Sequence, residues 1–434
     1  MKHELSRRTF LARAAGGAVV ASMAPLAAPA IGALGANEKV RLGCIGTGGR
    51  GCHHIQESVA RMSGEVQIVA VCDVDRSHMD EAATLAGGGV QKFADFRKVL
   101  DLKEVDAVVI ATPDHWHALP AIRACEAGKD VYVEKPIGHN IREGRLVAEA
   151  MKKHNRVVVT GTQHRSTPHF MEAVQRIRAG EIGKVSFVHA WNAWRLDQMG
   201  GSGPEGMGNP PDGPPPEGVD YDTWLGPAPK RPFNPRRFHF YFSFFWDFSG
   251  GMVSSWGVHL FDVVAWALGT GIDAVTTGGG RHFFKDMRET PDTASTIFEC
   301  PGYTMTYTMR HANSLPIYGR MDHGIDFCGD QGTLRINRSG FEIVLEDQRD
   351  KPLFVQDKGS DLLHKKNFIA CIKSRAKPNS DALDGHLSAV YGHLANISYR
   401  VGRKLRWDPK TETILGDSEA SALLTREYRA PWGL

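Results

Sequence analysis

The chain has 434 residues, more than one hydrophobic core of ordinary size accommodates, so at least two domains are expected. With 42% hydrophobic and 23% charged residues it has the composition of a globular protein. The net charge of +3, without any Lys/Arg block, excludes nucleic acid as a partner.

Residues 1–36 differ from the rest. Ser6-Arg7-Arg8-Thr9-Phe10-Leu11 is a twin-arginine pattern, followed by a weakly apolar Ala/Gly-rich run and the small-x-small site Ala28-Pro29-Ala30. They read as a removable export signal, which makes the twin-arginine export machinery a partner and the periplasm, or another exported location, the destination. As a membrane anchor the run is short and interrupted by Pro25 and Pro29. The cysteine count is odd, at seven, with no Cys-x-x-Cys; Cys44 and Cys72 read as small buried hydrophobes, and no structural metal site is expected.

From residue 39 apolar runs alternate with helical stretches. Strands are expected at 39–45, 66–71, 107–111, 130–133 and 156–160, and helices at 52–60, 82–86, 120–126 and 141–154. The strands are apolar on both faces, as in a parallel sheet covered by helices, so residues 37–160 read as an α/β Rossmann domain. After Gly161 the texture changes. Strands are expected at 185–193, 293–299, 303–310, 325–328, 333–336 and 341–345, and helices at 368–372 and 387–399. Residues 161–434 therefore read as an α+β domain with a large, mostly antiparallel open sheet. Gly/Pro-rich residues 198–237 form an insertion in it, and Trp224-Leu225 with the aromatic block behind them need burial.

The first strand ends in Gly46-Thr47-Gly48-Gly49-Arg50-Gly51, a Gly-x-Gly-x-x-Gly turn opening a helix. Gly46 permits the tight turn, Gly48 lets backbone approach a pyrophosphate, and Gly51 allows close helix–strand packing. Asp73, at the end of the second strand, is placed to accept both ribose hydroxyls and selects NAD; Arg76, three residues on, leaves NADP open. Ligands of such sheets lie beyond the carboxyl ends of strands. Thr112, Pro113, His115 and His117 follow the third strand there and are assigned to the cofactor, one of the two histidines serving instead as a helix cap. Glu134-Lys135-Pro136 follow the fourth. Lys135 can hold a substrate hydroxyl and stabilise the developing alkoxide, with Glu134 orienting it or binding the nicotinamide ribose. Gln163 and Arg165, after the last strand of this domain, are placed toward the cofactor and the substrate respectively.

The Gly-x-Gly-x-x-Gly strand, the Thr112-Pro113-x-x-x-His117 loop and Glu134-Lys135-Pro136, in this order, resemble the Gfo/Idh/MocA oxidoreductases, which include glucose–fructose oxidoreductase and inositol dehydrogenases. The resemblance implies that Lys135 is catalytic, that the Lys135–Pro136 bond is cis, and that the C-terminal sheet is the interface of a homodimer or homotetramer. Gly250-Gly251 through Asp262 is similar to a second element of the family, Gly-Gly, a spacer, then Asp-x-Gly-x-His-x-x-Asp. It makes His259 the general acid/base beside Lys135, whereas Ser255 stands where the family has aspartate; Asp247 is a candidate to replace that carboxylate. Trp194, Arg195, Trp246 and Ser255 complete the substrate candidates, although most of the aromatic run 236–246 is expected in core or interface. The segment 224–229 with Trp246-Asp247 looks like an exported subgroup of the family.

The leading expectation is an exported, nicotinamide-dependent oxidoreductase with tightly bound NAD, acting on a sugar, sugar derivative or cyclitol. A glycoside hydrolase that oxidises its substrate transiently and recycles the cofactor is the alternative, and a non-catalytic dinucleotide-binding sensor or scaffold, suggested by Ser255, is the third.

Overall fold

The structure, a computed structural model, describes residues 38–195, 205–315, 321–357, 359 and 361–434. The export signal and residues 198–204 of the insertion lie outside the described residues. Among the described residues no helix is long and apolar enough to cross a membrane.

The first sheet contains β1 (Val40–Ile45), β2 (Val66–Cys72), β3 (Gln91–Phe93), β4 (Ala107–Ile110), β5 (Asp130–Val133) and β6 (Val158–Thr160). Its order is β3-β2-β1-β4-β5-β6 and every pairing is parallel. Side chains of β4 and β5 are buried on both faces, which is why these strands read as unbroken apolar runs. The crossover helices are α1 (Gly49–Met62), α2 (Arg76–Leu85), α3 (Phe96–Leu100), α4 (Ala118–Glu126) and α5 (Ile141–Lys153). Asp75, Asp95 and Asn140 cap α2, α3 and α5 through side-chain oxygens that accept first-turn amides. The order reverses between β1 and β4, so a crevice opens beyond Ile45 and Ile110.

The chain continues through α6 (Pro168–Arg178), which the sequence reading missed, and β7 (Val185–Ala193). Helices α7 (Tyr221–Leu225), α8 (Gly251–Ser255) and α9 (Gly257–Leu268) precede β8 (Ala274–Gly280), β9 (Thr293–Cys300), β10 (Tyr303–Arg310), β11 (His323–Gly329), β12 (Gly332–Asn337), β13 (Gly340–Leu345) and β14 (Leu353–Gln356). Helices α10 (Asp361–Ser374) and α11 (Ala382–Val401), then β15 (Leu405–Asp408), β16 (Thr413–Ile414) and α12 (Ser418–Ala422), complete it. Among the described residues ten strands form the second sheet, and its one parallel pairing is β7 with β10. β8 was not expected because its three terminal glycines carry no strand signal. Alternating burial along β9 and β10 sends Phe298, Met305 and Tyr307 inward against Phe261 of α9 and Tyr391 of α11.

The chain also returns to the first sheet. Phe368, Ile369 and Ile372 of α10 pack with Leu42, Ile55 and Tyr132, and Ala382 and Ala389 of α11 join Val133 and Val147 on the other face. The described part of the insertion and the aromatic block behind it share a core, with Trp224, Leu225, Phe233, Phe238 and Phe244 buried together. All seven cysteines are unpaired thiols, and burial pushes that of Cys44 up to about 12.

Arg165, expected at the substrate, is instead a strut. Its guanidinium is buried, bonds both oxygens of Asp262 on α9 (2.9 and 3.0 Å), and pairs with Asp384 on α11 at 3.0 Å. Burial opposes its charge, but the two carboxylates outweigh burial and hold it protonated. Arg165→Met is expected to cost about 3–5 kcal/mol of stability in urea unfolding, because Asp262 is left buried without a counter-ion. Substrate KM should be unchanged wherever the variant is still folded; a KM effect with no loss of stability would contradict the strut.

Candidate active site

Gly46 closes β1 with φ +79°, and a Cβ there would lie 2.5 Å from the Thr112 amide nitrogen. A Cβ on Gly51 would lie 2.1 Å from the Gly46 carbonyl, so α1 can approach β1 only without one. Helix α1 begins at Gly48 with no side-chain cap and no acidic residue in its first turn. Its N-terminus therefore meets a 600 Å³ cleft lined by Gly46, Gly48, Gly49, Arg50, Asp73 and Thr112 among others. Nothing lies within 4 Å of where a Gly49 Cβ would stand, so the backbone is open to a diphosphate there.

Thr47 does not line the cleft. It is fully buried, and its amide and hydroxyl donate to Asp73 Oδ2 at 2.6 and 3.3 Å, bracing the turn. Asp73 reaches the cleft from this brace. Thr112, Pro113 and His117 line it as expected. The His117 ring also ties two loops together, its Nδ1 2.6 Å from the Pro136 carbonyl and its Nε2 2.8 Å from that of Thr112. His115 is not a cleft residue. It is buried with Nε2 2.9 Å from the Trp224 carbonyl, and burial, helped by Arg426, brings its pKa down to about 3, so it stays a neutral packing group.

Glu134 ends β5 beneath the cleft. Arg50 Nε (2.7 Å) and His54 Nε2 (2.9 Å) meet one of its oxygens, and the Lys135 amide (3.3 Å) reaches the other. Burial opposes its charge, yet Arg50, His54 and Lys135 hold the carboxylate well below its ordinary range. Gly161 makes room: a Cβ there would lie 2.9 Å from Glu134 Oε2. Arg50 also donates to Asp361 at 3.0 Å, which fastens α10 to the glycine turn.

The Lys135–Pro136 bond is cis. Lys135, Glu134 and Arg50 line both the cleft and a second cavity of 460 Å³, which also holds Gln163, His164, His259 and Arg338. Lys135 therefore stands where the two spaces meet. Its Nζ donates to the Ser255 carbonyl at 3.0 Å, so the backbone at position 255 supplies an acceptor although the side chain is no carboxylate. Asp247 does not take that role, because it pairs with Arg231.

His259 sits on α9 behind the break at Trp256, and the broken helix is what turns it toward the cavity. Asp262 does not satisfy it, being spent on Arg165 and Ser388. Its Nδ1 is buried with no partner among the described residues. Burial first, then the charges of Arg338 and Lys135, hold its pKa well below 6.5, so the ring is neutral at pH 7 and able to take a proton. Gln163 Oε1 is likewise buried without a partner.

Three substrate candidates stand elsewhere. Trp194 donates to Asp322 at 3.0 Å, packs edge-on against Trp256 and lines neither cavity. Arg195 is exposed outside both cavities. Trp246 lies between Tyr399 and Arg400.

The sequence reading missed the roof of the cleft. Residues 218–220 run along the end of β2, with Arg76 N donating to Gly218 O at 3.0 Å and Asp220 N to Val74 O at 2.9 Å. Thr223 and Trp224 of the insertion, with Phe240, Phe242 and Phe244 of the aromatic block behind it, then line the cleft. His239 meets Asp75 at 2.9 Å, and its ring lies tilted against that of His78 at 4.3 Å. These three could gather round a cation, but Asp75 already caps α2 through Ser77. No motif marks this roof, because its residues are distant in sequence from the glycine turn.

Residues 40–162 match the NAD-binding Rossmann-fold model of the Gfo/Idh/MocA oxidoreductases, and residues 204–276 and 351–434 match the C-terminal α/β domain model of the same family. The chain belongs to the Gfo/Idh/MocA oxidoreductase family. It is 36% identical over 151 residues to inositol 2-dehydrogenase 1 of Saccharopolyspora erythraea, covering 35% of this chain and 44% of that one. The match to scyllo-inositol 2-dehydrogenase (NAD(+)) of Bacillus subtilis is 24% identical and covers 86% of this chain and 97% of that one. The chain thus spans less than half of the first relative and nearly all of the second. Similar folds are levoglucosan dehydrogenase in complex with NADH and levoglucosan (TM-score 0.65, 19% identity, 85% of this chain and 99% of that one) and the WlbA dehydrogenase of Bordetella pertussis in complex with NADH and UDP-GlcNAcA (TM-score 0.64, 20% identity, 86% and 99%).

The glycine cradle, the uncapped α1 terminus and Asp73 suit the NAD that this family's Rossmann domain binds. Gly46→Ala should abolish dinucleotide binding, measured by fluorescence titration, since the new methyl meets Thr112 backbone. Because the His259 pKa is held well below 6.5, kcat/KM for substrate oxidation should stay level through that pH and fall only well below it, and the fall should disappear in His259→Ala. An acid limb centred above 6.5 that vanishes in this variant would show that the ring is not held neutral.

Proposed function

We propose that this protein is an NAD-dependent oxidoreductase that transfers a hydride to or from a hydroxyl-bearing carbon of a sugar, sugar derivative or cyclitol. The observation that carries this reading is the position of Lys135, at the junction of the cleft and the cavity that holds His259. Bound NAD supplies the hydride acceptor or donor. Lys135 Nζ, tethered by the Ser255 carbonyl, holds the substrate oxygen and stabilises negative charge as it develops there. Neutral His259 accepts the hydroxyl proton, or, once protonated, returns it in the reverse direction. Glu134 binds no substrate in this scheme: it holds Arg50 and sets the start of the Lys135 loop.

The roof formed by the insertion and the aromatic block behind it favours a cofactor that stays bound through many turnovers. That supports a closed cycle, in which either a second sugar or a product of the same substrate takes the hydride back; the transient-oxidation glycosidase is the second such case. Export by the twin-arginine route, with the cofactor loaded before translocation, and assembly of a homodimer or homotetramer through the second sheet belong to this reading. The outer face of that sheet exposes Phe187 and Ile297 and suits such a contact.

The test is purification of the protein with whatever dinucleotide it retains, followed by a sugar and glycoside panel read by nicotinamide absorbance and product mass. Net NADH marks an open dehydrogenase, and aglycone release marks the glycosidase. Lys135→Met should lower kcat/KM by about 10²–10⁴-fold while dinucleotide affinity is retained. Unchanged function in that variant would leave only a sensor or scaffold.

A further inference from the structure

Arg338 occupies the hairpin turn between β12 and β13, a position that no motif marks. Its Nε donates to His164 Nε2 at 3.2 Å, and its guanidinium lies 5.4 Å over the Trp256 ring. Since arginine only donates, His164 Nε2 must accept, which leaves His164 Nδ1–H to donate to the His259 carbonyl at 3.3 Å. Arg338 therefore stands one imidazole away from the His259 backbone. It is exposed and lines the cavity.

The cavity is short of negative charge. Both carboxylates in its wall, Glu134 and Asp361, are spent on Arg50. Asp322, the other acid that acts on Arg338, bonds Trp194 and His323 instead. No carboxylate among the described residues forms an ion pair with Arg338, and Lys135 Nζ has only a carbonyl. His164 and His259 are held neutral, by burial first and then by Arg338 itself. Arg50, Lys135 and Arg338 thus face two carboxylates, one positive charge in excess. A guanidinium without a counter-ion at the cavity wall presents a planar fork that matches a carboxylate.

We propose that the substrate carries a carboxylate that binds Arg338 while its reacting hydroxyl lies between Lys135 and His259, which makes it a sugar acid. This rests on the oxidoreductase reading for which cavity takes the substrate. One carboxylate balances the excess charge, whereas a phosphate monoester brings nearly two negative charges.

The test measures binding to the NAD-loaded full chain by calorimetry for D-glucuronate, D-gluconate, D-glucose, myo-inositol and glucose 6-phosphate, with wild type, Arg338→Met and Arg338→Lys. An acid should bind more tightly than its neutral counterpart. Arg338→Met should weaken that acid by about 10- to 100-fold and leave neutral sugars unchanged. Arg338→Lys should recover part of the loss. The proposal is overturned if neither acid outbinds its neutral counterpart, if the phosphate outbinds both acids, or if Arg338→Met weakens acids and neutral sugars equally. Turnover separates the two readings. Arg338-dependent binding of an acid with neither a change in nicotinamide absorbance nor any change in product mass upholds the carboxylate site and defeats the oxidoreductase; turnover of neutral sugars without preference for acids does the reverse.

Discussion

One buried carboxylate holds the parts of the site together. Glu134 sits at the end of β5 with almost no access to water, a position an anion tolerates only when its partners are close and well aligned. Those partners come from the first turns of α1, as Arg50 and His54, and from the next residue along the chain, as the Lys135 amide. Arg50 carries the connection on to Asp361, so the glycine turn, the Lys135 loop and α10 are fixed by a single charge network. The space for it is set by Gly161, where any side chain would collide with the carboxylate.

That network also decides the electrostatics of the neighbouring cavity. Glu134 raises the proton affinity of His259, but burial beside Arg338 and Lys135 outweighs it and keeps the ring neutral. A neutral imidazole next to a cationic amine is an arrangement in which a hydroxyl can lose a proton to one group while its oxygen stays on the other. The serine at 255 is compatible with this, because the tether on Lys135 is a main-chain carbonyl, which any residue at that position provides.

Much of this was legible in the residues alone. The glycine turn, Asp73, the loop after β4 and Glu134-Lys135 are each local signals, since the carboxyl end of a strand in a parallel sheet faces the ligand whatever surrounds it. Arg165, Trp194, Arg195 and Trp246 are substrate candidates by their place in the chain, and they stand elsewhere, Trp246 in keeping with the expectation that most of the run 236–246 is packed. In the fold Arg165 neutralises Asp262, Trp194 packs against Trp256, and Trp246 packs against Tyr399. The sequence reading overlooked Arg338 and the roof formed by residues 218–244, which come to the site from distant stretches of chain.

The amino-acid sequence by itself determined the alternation of strands and helices, the backbone cradle and the place of Lys135 at a strand end, because hydrophobic period and glycine geometry act over a few neighbouring residues, whereas His259 was singled out by the family resemblance. Tertiary structure alone decided which charges pair and which stay open to a ligand. A carboxylate binds the nearest cation in space, and the separations of Arg50 from Asp361 and of Arg165 from Asp384 along the chain give no hint that they touch.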